Sequence, residues 1–182
     1  MGMAVSIPRY TVDELDRFSD DGNRYELLDG VLLVTPAPSS AHQVVASRIQ
    51  GQLIAAVQNP GYAHVVGPGA ISVPPRTQLQ PDILVYPARF GPGTDWTKIT
   101  EHWLVVEVLS RSSRVYDREF KRGAYLALGV RELWLVDCLD RSVEVWRLHG
   151  DTEVIRDAIR WRVPGLDVVV PVDLAEVFAG LE

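Results

Sequence analysis

Apolar and polar positions along this chain change period repeatedly, from about two to about four and back, a pattern that predicts strands interleaved with helices. Val45, Ile49, Leu53 and Val57 recur at four-residue intervals and predict a helix to about Gln58, opened by Ser40 and Gln43 as a capping box. Thr11-Val12-Asp13-Glu14 has the same form and predicts a shorter helix to about Phe18. Between them, Arg24–Leu28 and Val31–Val34 flank Asp29-Gly30, a dipeptide suited to the positive φ values of a tight hairpin turn. Tyr62–Val66, Ala70–Val73, Leu79–Tyr86, Trp103–Leu109, Glu132–Asp137 and Val143–Leu148 read as further strands. Pro81 belongs at the start, edge or bulge of its strand, because it cannot donate to a ladder. A helix from about Arg114 to Leu128 is stopped by Gly129, and Arg156–Val163, Val168–Val170 and Asp173–Phe178 add peripheral strands and a last helical turn.

Composition narrows this picture. The 182 residues, 47% of them hydrophobic, suit one α/β domain spanning residues 1–182, with no repeat or linker to divide it. A net charge of −6 argues against a generally basic nucleic-acid coat. Locally the balance reverses: Arg111, Arg114, Arg118, Lys121 and Arg122 face only Asp117 and Glu119, 5 − 2 = +3. Cys138 is the single cysteine, which excludes a disulfide framework and a Cys-rich zinc site and fits a reducing compartment. No apolar run approaches the roughly 18 residues of a membrane span, and the N-terminus lacks the regions of a signal peptide, so a cytoplasmic protein is expected.

Three acids stand inside apolar or strand-like segments: Glu26 in YELL, Asp82 in PDILVY and Glu107 in VVEVL. A carboxylate buried there needs a cation, a metal or a proton, because desolvating it costs several kcal/mol. Alternation puts Glu107 with Val105 and Leu109, and Asp82 with Leu84 and Tyr86. If their strands are neighbours, the two carboxylates converge into the hard-oxygen cage that Mg²⁺ or Mn²⁺ prefers. The plainer alternative places Asp82 in a turn and pairs Glu107 with an arginine of the following helix. On that helix Asp117, Lys121 and Tyr125 are four apart and share a face with Arg114; Lys121 either positions a water near a phosphate or forms a surface pair with Asp117. Of the four histidines only His42 is kept as a neighbour of such a site. Neither a phosphate-cradling GxxxxGK[ST] nor a GxSxG elbow occurs, and the five tryptophans read as core rather than as a base-stacking platform.

Taken together, YELLDG, a capped helix near His42, PD in QPDILV, EVLS, Asp117–Lys121–Tyr125 and GVRELWLVD resemble the Uma-two family of restriction-endonuclease-like proteins over residues 10 to 179. The resemblance implies a restriction endonuclease-like fold, a mixed central sheet flanked by helices. It implies Mg²⁺- or Mn²⁺-dependent hydrolysis of DNA with Glu26, Asp82, Glu107 and Lys121 as catalytic residues, metal ligands from Asp82, Glu107 and the Val108 carbonyl, and backbone contacts from Arg111, Arg114 and Arg118. Lys121 stands for a lysine that the parent superfamily carries two residues after its second acid, where this chain has Leu109. A homodimer is expected by analogy, with no membrane and no small-molecule cofactor. The alternative is a catalytically silent relative that binds nucleic acid or protein; a two-carboxylate glycosidase leaves Lys121 and the basic helix unexplained.

Overall fold

The computed structural model describes residues 8–15, 17–18, 20–110 and 116–181, the side chains at 116, 117 and 119 excepted. A short helix, α1 (Val12–Leu15), opens with the predicted cap, the Glu14 carboxylate accepting from the Thr11 N–H at 2.7 Å, and ends earlier than Phe18. Strands β1 (Arg24–Leu28) and β2 (Val31–Thr35) pair antiparallel through Asp29 and Gly30, whose φ values of 47° and 78° are the left-handed ones this turn requires. Helix α2 (Ser40–Leu53) is capped by Ser39 rather than Ser40, and runs on through π-helical turns over Ile54–Gln58, near the predicted end. Its stripe of Val45, Ile49, Leu53 and Val57 is wholly buried.

Then come β3 (Ala63–Val66), β4 (Ile71–Val73), β5 (Thr77–Leu79), β6 (Ile83–Pro87) and β7 (Leu104–Leu109). The single strand predicted over Leu79–Tyr86 is therefore two strands of different sheets. Pro81, with no N–H to give, lies at the break. A π-helical segment, Tyr116–Lys121, leads into α3 (Arg122–Ala127), and β8 (Glu132–Asp137), β9 (Ser142–Arg147), β10 (Glu153–Ile155), β11 (Ala158–Arg162), β12 (Val169–Asp173) and α4 (Leu174–Val177) complete the chain. Strand β10 has no counterpart among the predicted elements, because its exposed residues leave no buried face to detect.

The central sheet is six-stranded and mixed, in the order β10-β9-β8-β7-β6-β3, with β7 and β8 parallel and the other neighbours antiparallel. Alternation along β7 and β8 divides the interior. Val106, Val108, Trp134 and Val136 pack with α2, Trp161 of β11 and Val177 of α4. Val105, Leu109, Leu133 and Leu135 pack on the other face, with Tyr125 of α3 and with Ile71 and Leu79 of the second sheet, β2-β1-β5-β4. Glu107 belongs to this second face by period, and it is the carboxylate set among those apolar residues. No helix among the described residues is long and apolar enough to cross a membrane.

Candidate active site

Three chain segments meet at the end of β7. Ile83, the first residue of β6, pairs with Val106, so one further antiparallel step carries Asp82 toward Glu107. Glu26 arrives from β1, where the Gln80 N–H donates to its Oε1 at 2.7 Å. Gly67 lies where an added Cβ would come within 2.6 Å of the Asp82 carbonyl oxygen, so only a residue without a side chain lets this connection lie so close.

Lys121 ties two of the acids together. Its Nζ is 2.7 Å from Glu26 Oε2 and 3.3 Å from Glu107 Oε1. Tyr125, one helical turn later, donates its hydroxyl to Glu107 Oε1 at 2.6 Å. These groups are enclosed: Glu26 and Tyr125 are 0% exposed, Glu107 1% and Lys121 2%. Asp82 joins the cluster through Arg24, whose Nη1 donates to Asp82 Oδ1 at 2.9 Å while its Nε lies 3.7 Å from Glu26 Oε2. The second Asp82 oxygen accepts from the Val108 N–H at 2.8 Å and sits 3.0 Å from His42 Nε2. All four predicted catalytic residues are thus brought into one network, and Val108 contributes to it through its N–H.

The sequence matches the model of the Uma2 family, described as putative restriction endonuclease, over residues 12–175. The chain belongs to the Uma2 family. Among solved structures it is similar to the crystal structure of a putative nuclease belonging to DUF820 from Anabaena variabilis, with a TM-score of 0.72 and 19% identity over 94% of this chain and 99% of that one. At that identity the likeness speaks for the fold, and the expected mixed α/β architecture is the one observed. The comparison with curated proteins gives no match.

In this Uma2 chain the site borders a cleft. A cleft of about 780 Å³ is lined by Arg24, His42 and Asp82, with Ser39, Gln50 and Leu109 among its walls; Glu26, Glu107 and Lys121 do not line it. Burial pushes the Asp82 carboxyl up, but the hydrogen bond and charge of His42 and the Arg24 guanidinium outweigh it and hold Asp82 down at about 2. For Arg24 burial works against the charge, and the carboxylates of Glu107, Asp82 and Glu26 together raise its pKa above the ordinary arginine value. Arg24 therefore feels all three acids.

The donor set suits a hard divalent cation. Glu26, Asp82 and Glu107 offer carboxylate oxygens, and they outnumber the permanent cations Arg24 and Lys121 by 3 − 2 = 1. Their oxygens are nonetheless turned to Arg24, Lys121, Tyr125 and His42. Among the described residues no three Asp, Glu, His or Cys side chains are arranged as a ligand sphere.

Two predicted partners of a phosphate backbone, Arg111 and Arg114, lie outside the described residues, as does the Asp117 side chain. Arg118 is described. Its Nη2 is 3.3 Å from Asp137 Oδ2 and 2.5 Å from Glu144 Oε1. Sequence reasoning passed over Arg24, although it stands two residues before Glu26 and so shares that residue's strand face. It kept His42 only as a neighbour, and it placed Tyr125 on the right helix face without giving it a partner.

Proposed function

We propose that this Uma2 protein is a metal-dependent endonuclease that hydrolyses phosphodiester bonds in DNA, working as one domain. The observation that carries the reading is the gathering of Glu26, Asp82, Glu107 and Lys121 from four separate segments into a buried, interconnected cluster beside a cleft. Burying charged groups together costs stability, and functional sites are where such clusters are found; a family described as putative restriction endonuclease gives this one a role.

Asp82 and Glu107 would hold Mg²⁺ or Mn²⁺, with the Val108 carbonyl as a further donor. Such an ion, when bound, lowers the pKa of a water and offsets charge on the phosphate. The chain's own residues prepare that place. Tyr125 and Lys121 fix the Glu107 carboxylate; His42 and the Val108 N–H fix that of Asp82. Lys121 also secures Glu26, so that its amine keeps the acids together and adds positive charge next to the cleft. A homodimer, with one site for each strand of the duplex, suits the activity.

Incubating plasmid DNA with the purified protein and Mn²⁺ or Mg²⁺, beside an Asp82→Asn, Glu107→Gln double variant, tests this. Metal-dependent nicking that the double variant lacks is expected. Equal nicking by both proteins, or none by either, would leave the cluster without a catalytic role and favour a silent relative that binds through this fold.

A further inference from the structure

Arg24 occupies an unusual place in the network. Its guanidinium bridges Asp82 and Glu26. It is the only lysine or arginine among the described residues that line the cleft, and its side chain is 24% exposed, against 2% for Lys121. Its hydrogen bond to Asp82 is a single one rather than a bidentate pair, and its buried Nε has no hydrogen-bond partner among the described residues.

A divalent ion held by Asp82 and the Arg24 guanidinium draw on the same carboxylate, and joint occupancy sets a guanidinium against a metal ion in a low-dielectric interior.

We propose that Arg24 is an internal cation that stands in the acid cluster until a divalent ion displaces it, so that metal uptake and release of the guanidinium toward the cleft are one event. This rests on the reading that Asp82 and Glu107 hold the ion. Displacement breaks one hydrogen bond, to Asp82, and the 3.7 Å ion pair with Glu26. The released side chain remains at the cleft wall, where it is the described cation best placed to meet a substrate phosphate.

The test is Mn²⁺ binding to the full chain without DNA, followed by calorimetry or by the paramagnetic resonance of free Mn²⁺. Arg24→Gln is expected to bind Mn²⁺ about tenfold more tightly than the wild type, because the ion no longer competes with a resident cation. That variant leaves buried acids uncompensated and could fail to fold. Arg24→Gln/Glu26→Gln removes one charge of each sign, and is compared with Glu26→Gln alone; the double variant should again bind more tightly. Equal or weaker binding in the folded Arg24 variants overturns the proposal. An Asp82→Asn, Glu107→Gln protein separates the two levels: if it loses Mn²⁺ binding while Arg24 proves irrelevant, only the displacement fails, and if it binds Mn²⁺ as the wild type does, the metal site itself is wrong.

Discussion

The two ends of the acidic network use the same chemistry under different access. At the sealed end Lys121, Glu26, Glu107 and Tyr125 are closed in by the second sheet and α3; at the cleft end Asp82, His42 and Arg24 line open space. An ion pair without water has nothing to replace a missing partner, whereas a group on a cleft wall can be resolvated or exchanged. The sealed end therefore holds the cluster in shape, and the cleft end is where a ligand can act. Lys121, which the family resemblance implies is catalytic, belongs to the first end.

The largest effect should follow from removing the sealed cation. Lys121→Ala leaves Glu26 and Glu107 buried with their amine gone, and should lower stability by about 3–5 kcal/mol, read as a shift of the urea midpoint at constant slope. Arg24→Ala, at the wetter end, should cost less. If the order is reversed, the contrast between the two ends is wrong. Tyr125→Phe comes next. Without the hydroxyl, one bond to a buried carboxylate goes unmade, worth about 1–3 kcal/mol in the same measurement.

Much of this was legible beforehand. Period and capping located the hairpin, α2 and β8, because their buried stripes are continuous and local. The acids were visible for the same reason: a charge inside an apolar run contradicts its surroundings. Glu132 shows the limit of that signal. It too is a buried glutamate in a central strand, yet it lies at the far end of β8, answered by Trp134 and by Arg147, which it shares with the half-exposed Glu153. What separates it from Glu107 is the company brought by distant segments. The Arg24 contact with Asp82 joins residues 58 apart in the chain, and no local period encodes it. Pro81 misled in the opposite direction, since LQPDILVY reads as one strand unless the proline is taken as a break.

Acid titration sharpens the same comparison at the cleft end. Asp82 is held at about 2 when folded, below the ordinary 3.8, so its ionised form stabilises the native state above that ordinary value. That contribution, about 2 kcal/mol, should fade as the pH falls from about 4 to about 2. In Asp82→Asn the unfolding free energy should lose this segment of its pH dependence. A variant whose acid limb superimposes on that of the wild type would mean that His42 and Arg24 do not favour the carboxylate.

The smallest effect belongs to Arg118, which sits outside both ends. Its side chain is 33% exposed and turned to Asp137 and Glu144, and the buried Asp137 also accepts from the Leu139 and Asp140 N–H groups, so Arg118→Gln should cost about 1 kcal/mol. Its consequence for DNA is more telling than its consequence for stability. Removing a cation that neutralises one phosphate of duplex DNA lowers the slope of log affinity against log salt by about one, whatever the sequence. Arg118 held on two carboxylates should leave that slope unchanged, while Arg24→Gln, measured with the metal present, should reduce it. A reduced slope in Arg118→Gln would mean that DNA draws this arginine off Asp137 and Glu144, and that the binding surface extends from the cleft along the helix that carries Lys121.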